Sequence, residues 1–121
     1  MNIPYIQQDN RFRIKKSTIP FAGLGVFANT VLPEETKLHV DGIVIQKNST
    51  ADICTAYANK YKFKLKENLL LIPLGWAGMV NHSNKPNMFK LVKNNGKVFL
   101  VTNRDITPGE ELFWKYSKGA L

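Results

Sequence analysis

The chain reads as a mainly β protein built from small antiparallel sheets with one short helix, and three features carry that reading. Apolar and polar residues alternate over short runs instead of repeating at helical spacing. Turn formers punctuate the chain at Asp41-Gly42, Asn94-Asn95-Gly96 and Thr107-Pro108-Gly109. Only the stretch from Ser49 to Lys60 carries a helical period.

Taken in order, Arg11-Phe12-Arg13-Ile14-Lys15 alternates as a half-buried strand does. Lys37 to Val40 and Ile43 to Ile45 flank Asp41-Gly42, which predicts a tight hairpin. Ile53, Ala56, Tyr57 and Tyr61 then recur at three- and four-residue steps behind the candidate caps Ser49 and Thr50. That spacing predicts an amphipathic helix with Cys54 packed inside. Tyr61 to Leu65 and Leu69 to Ile72 are strands separated by Lys66-Glu67-Asn68. Met88 to Val92 and Lys97 to Thr102 form a further pair joined through Asn94-Asn95-Gly96, and Leu112 to Tyr116 is a final strand.

The length of 121 residues suits one domain spanning 1–121, with residues 1–9 as an N-terminal arm. No repeat, linker or low-complexity tract divides it. A hydrophobic fraction of 44% is that of a globular protein. The longest apolar run, Leu69 to Ile72, is far short of the roughly 20 residues of a membrane span. With no basic-then-apolar leader at Met1-Asn2-Ile3-Pro4-Tyr5, the expectation is a cytoplasmic protein without a membrane partner. Cys54 is the only cysteine, and the two histidines, His39 and His82, stand far apart, so no metal site is expected. A net charge of +8 fits an acidic surface, nucleic acid or plain solubility, and no nucleic-acid-binding motif accompanies it.

Three segments carry candidate chemistry. Gly23-Leu24-Gly25 enters an apolar run, where glycines let a ligand approach the backbone; alone, a plain turn reads as well. Asn81-His82-Ser83-Asn84-Lys85-Pro86-Asn87 is rich in turn formers, and a single histidine there is ordinarily structural or exposed. Gly109-Glu110-Glu111-Leu112-Phe113-Trp114-Lys115-Tyr116 is, at its blandest, a turn into an aromatic core strand.

In this order, the three segments resemble the SET domain family of lysine methyltransferases, which carries Gly-x-Gly, then Asn-His-Ser-x-x-Pro-Asn, then Gly-Glu-Glu-Leu and a strand ending in tyrosine. The middle motif is the specific one, with five fixed residues in seven. The likeness is greatest to the small stand-alone SET proteins of viruses and bacteria, which for a viral chain would add the host nucleus as a location. The resemblance implies a β-clip-like SET fold in which the Asn-His-Ser segment and the C-terminal strand form a pseudoknot. It implies S-adenosylmethionine as cofactor, touched by Gly23, Leu24, Gly25, Asn81 and His82. Tyr116 would be the catalytic tyrosine, and Asn87 and Glu111 pseudoknot supports. The partner would be a protein or peptide presenting a target lysine.

The sequence departs from the family at several places. Leu24 stands where a larger or aromatic side chain is common, Lys115 where a small or acidic residue is, and Trp114 where tyrosine or phenylalanine is usual. The short tail after Tyr116 leaves the wall of a lysine channel to be supplied by Tyr5 and Ile6, by the substrate, or by a second copy of the chain. A homodimer is the expectation. Two other readings stand beside the enzyme: a SET-fold module that binds cofactor or peptide without turnover, and a basic nucleic-acid binder whose aromatics form a stacking platform.

Overall fold

A computed structural model describes residues 9–116. Its strands are β1 (Phe12–Lys16), β2 (Leu24–Ala28), β3 (Lys37–Val40), β4 (Gly42–Gln46), β5 (Phe63–Lys66), β6 (Leu69–Pro73), β7 (Asn81–His82), β8 (Met88–Val92), β9 (Val98–Thr102) and β10 (Phe113–Trp114). The helix α1 (Thr50–Cys54) lies between β4 and β5, and 3₁₀ turns occupy Ala56–Ala58 and Gly75–Met79. The expected arm, apart from Asp9, and the tail beyond Tyr116 lie outside the described residues.

The strands form three sheets. β1 and β2 make a hairpin; β4, β6 and β5 make a three-stranded antiparallel sheet; and five strands run in the order β3-β9-β8-β10-β7. The core lies where the two larger sheets meet. Leu38, Val40, Met88, Val98, Leu100 and Trp114 face Phe63 and Leu71, all buried. The rings of Phe63 and Trp114 stack at 4.2 Å and 10°, joining the sheets through the largest apolar surfaces available.

Two sequence expectations are corrected. Asp41-Gly42 is not a hairpin, because β3 pairs with β9 and β4 pairs with β6. The chain changes sheets there, and glycine is required by close approach: a Cβ on Gly42 would lie 2.3 Å from the Ile72 carbonyl oxygen. The stretch from Ser49 to Lys60 is not a packed amphipathic helix either. Ser49 caps it as expected, accepting from the Asp52 amide at 3.2 Å, but α1 lasts five residues and buries none of them. Ile53 and Tyr57 are 68% and 81% exposed, and Cys54 is exposed rather than packed. What fixes the segment is polar. Lys62, 2% exposed, donates from Nζ to the Asp52 carboxylate at 2.7 Å, the Asp52 carbonyl at 3.1 Å and the Asn59 side chain at 2.7 Å.

Candidate active site

β10 is inserted between β7 and β8 and runs parallel to both, pairing Phe113 with Asn81, and Trp114 with both His82 and Met88. The loop from Ser83 to Asn87 therefore passes around the C-terminal strand, the knotted arrangement that the family resemblance implied. So short a strand needs side-chain support, and Asn87 gives it. Its Nδ2 donates to the Glu111 carbonyl and its Oδ1 accepts from the Phe113 amide, both at 2.8 Å. The buried amide side chain thus replaces two ladder bonds.

Glu111 holds a second junction. Its carboxylate, in a residue only 6% exposed, accepts from Ser17 Oγ at 2.8 Å, from the Thr18 amide and hydroxyl at 2.7 and 2.5 Å, and from Asn81 Nδ2 at 3.1 Å. Burial pushes its pKa up, but the hydrogen bonds from Thr18, Ser17 and Asn81 outweigh burial and hold it below the ordinary value. This carboxylate also explains Gly25. A Cβ there would stand 2.3 Å from Glu111 Oε2 and 3.0 Å from Asn81 Nδ2, so the glycine makes room for the protein's own acid. At Gly25 the space a side chain would take is filled by the protein itself. Gly23 and Leu24, by contrast, line an open groove of about 870 Å³ with Lys16 to Phe21.

Asn81 Nδ2 also donates to the Leu24 carbonyl at 3.0 Å, tying the glycine segment to the knot. No described residue donates to its side-chain oxygen. His82 faces the other way. Its Nδ1 accepts from the Tyr116 amide at 2.9 Å, which puts the proton of the neutral ring on Nε2, 3.3 Å from Asn84 Oδ1.

Tyr116 is the meeting point. Its ring lies edge-on to His82 at 5.2 Å and to Tyr61 at 6.3 Å, and tilts against Trp114 at 5.2 Å. Its hydroxyl donates to the Val80 carbonyl at 2.7 Å. Burial, with Tyr61 adding to it, pushes the phenol up to about 12. At neutral pH the group is therefore a fixed, protonated hydroxyl whose oxygen lone pairs can accept. It is no base.

The structure thus brings Gly25, Asn81 and Glu111 into one junction and His82 and Tyr116 into another. Gly23 and Leu24 lie on the groove side of the first. Sequence reasoning gave Tyr61 no part in the site, reading it at the end of the helical period and the start of a strand, and did not see that it lies beside Tyr116.

Residues 23–117 match the family model described as SET domain. Over 119 residues the chain is 27% identical to the histone-lysine N-methyltransferase, H3 lysine-37 specific, of Schizosaccharomyces pombe, covering 96% of this chain and 78% of the relative. Among solved structures, one of Chaetomium thermophilum Polycomb Repressive Complex 2 bound to S-adenosylmethionine aligns with a TM-score of 0.74 at 20% identity, over 89% of this chain and 15% of that one. A proposed histone methyltransferase of Plasmodium falciparum aligns with a TM-score of 0.67 at 21% identity, over 92% of this chain and 96% of that one. The Polycomb chain is thus several times longer than the part matched here.

Proposed function

This chain belongs to the SET domain family, and from that premise we propose that it transfers a methyl group from S-adenosylmethionine to the ε-amine of a protein lysine. The observation that carries the reading is Tyr116. It is a buried, neutral phenol beside Tyr61, fixed through Val80 and His82 to the knot that also holds Asn81.

The residues present fit the cofactor. Asn81 is tied to the carbonyl of Leu24 on the groove, and its side-chain oxygen would accept from the amino group of a methionine moiety. When bound, S-adenosylmethionine supplies a methyl group activated on a sulfonium. The chain's own residues would do the rest. A lysine amine attacks only when neutral, and at pH 7 about one free amine in 2,500 is neutral. The aromatic surroundings of Tyr61, Trp114 and Tyr116 disfavour the charged form by excluding water. The Tyr116 oxygen, held by its bond to Val80, can accept from the amine and orient its lone pair. Such alignment supplies much of the acceleration in an in-line displacement.

Titration calorimetry with S-adenosylmethionine tests this reading. We expect saturable heat, and weaker binding by Asn81→Ala, which removes that acceptor. No heat with the folded wild-type chain would refute the cofactor site. The substrate is a protein or peptide presenting a lysine, and the exposed Ile53, Tyr57 and Tyr61 offer a wall for it or for a second copy of the chain. We propose the second copy. Sedimentation run beside specific activity should show both rising with concentration, and a constant monomer of constant activity would exclude it. The other suppliers of that wall, Tyr5 and Ile6, lie outside the described residues.

A further inference from the structure

The five-stranded sheet packs one face into the core; on its other face Phe89 is exposed, Phe99 and Leu91 are half-buried and Val101 is buried. Leu38, Leu100, Met88 and Trp114 point into the core, so their neighbours along each strand point out. Register fixes what the outer face carries. Lys37 pairs with Val101 and Val101 with Phe89, giving one row; His39 pairs with Phe99 and Phe99 with Leu91, giving the next. Lys115 extends the first row, since it follows Trp114 as Phe89 follows Met88 across the paired strands. Lys93 and Lys97 fall on the same face by the two-residue period.

Phe89 is 47% exposed. Phe99 is partly covered, with the Lys93 ammonium 5.6 Å from its ring centre and the His39 ring at 5.4 Å. By register and alternation, Lys37, Lys93, Lys97 and Lys115 share a face with the two rings. Asp41, just after β3, lies 3.0 Å from His39 Nδ1. Basic charge around aromatic rings on an open sheet is the chemistry that holds phosphates at the rim and bases on the rings.

We propose that this face binds single-stranded nucleic acid, independently of the methyl-transfer reading. Phe89 and Phe99 are diagonal neighbours on adjacent strands, roughly 7–8 Å apart at the backbone. That is about twice the 3.4 Å base step of a duplex strand, so each ring receives a separate, unstacked base. A flat sheet presents no helix to enter a major groove, which disfavours a duplex. Binding of this kind tolerates any sequence, because every base has a π-face. The platform accounts for Lys115, for which the methyl-transfer site has no use. It also sets a nucleic-acid strand one residue from Tyr116, on the other side of β10, and so suits a substrate that is itself bound to nucleic acid.

Fluorescence anisotropy of the full chain with a labelled oligo-uridylate tests the platform. Affinity should fall with salt at a logarithmic slope of roughly −2 to −3, as three to four phosphates would give. Phe89→Ala should weaken binding about tenfold. If that variant does not fold, Phe89→Leu keeps the apolar surface while losing the ring and should also weaken it. The double variant Lys37→Glu with Lys93→Glu should reduce affinity far more than Lys47→Glu with Lys60→Glu, two exposed lysines off this face that give the same change in net charge. Equal losses in the two double variants, full affinity in the Phe89 variant, or equal affinity for a duplex would each overturn the proposal. So would displacement of the oligomer by an acidic peptide at matched charge, since the partner would then be an acidic protein surface.

Discussion

The knot around β10 and the segment from Ser49 to Lys62 are anchored in opposite ways. In the knot, short strands that cannot hold themselves are fastened by buried side chains: Asn87 bridges residues 111 and 113, and Glu111 joins Ser17, Thr18 and Asn81. Between β4 and β5, one buried lysine holds a segment whose large apolar residues face solvent. The first arrangement fixes individual polar atoms. The second fixes only where a surface lies. A methyl-transfer site needs the first for its geometry, and a wall facing a partner can be built from the second.

The comparison breaks most readily where the largest effects are expected. Trp114→Ala removes the ring stacked on Phe63, and by the usual cost of such truncations should lose about 3–5 kcal/mol in urea unfolding. Glu111→Ala leaves the Ser17, Thr18 and Asn81 donors without their acceptor, so about 3 kcal/mol should go. A loss of under 1 kcal/mol for both would mean that the knot is not the rigid region.

Two titrations sharpen the same contrast. The raised pKa of Tyr116 means that the folded state keeps a proton which the unfolded chain releases above about pH 10. Stability from this group is complete below pH 10 and is lost as pH rises toward about 12, by about 2 to 3 kcal/mol in all. Tyr116→Phe should flatten that alkaline loss, as followed by thermal melting from pH 9 to 12. Glu111 acts with the opposite sign. Its lowered pKa contributes stability above the ordinary carboxylate range, which is lost as pH falls through the folded value. An acid melting profile unchanged by Glu111→Gln would contradict this. At the small end, Ile53→Ser and Tyr57→Ser should change stability by no more than about 0.5 kcal/mol, being exposed, while weakening any partner that docks there. A large loss of stability would show that the segment is packed after all.

What the sequence made legible follows the same division. Asn81 to Asn87 and Gly109 to Tyr116 were legible through their resemblance to the SET family; taken alone, their residue types read as turns and a core strand. The Asn94-Asn95-Gly96 turn and the two hairpins it and Lys66-Glu67-Asn68 create were readable from local turn chemistry. Asp41-Gly42 was misread because local turn chemistry cannot say which strand a residue will pair with. Ile53, Ala56, Tyr57 and Tyr61 were misread because apolar spacing does not distinguish a face turned to the core from one turned outward. The role of Gly25 was invisible, since the group that fills its space, Glu111, lies 86 positions away in the chain.

The central claim is that Tyr116 orients a lysine amine at a site built by the knot. Transfer of a labelled methyl group from S-adenosylmethionine to lysine-bearing protein, compared between wild type and Tyr116→Phe at equal cofactor saturation, tests it most directly. The account predicts labelled lysine from the wild type, and turnover at least tenfold lower from the variant with cofactor affinity nearly unchanged. Turnover by Tyr116→Phe at the wild-type rate, or a wild-type chain that binds cofactor and labels no lysine, would contradict it.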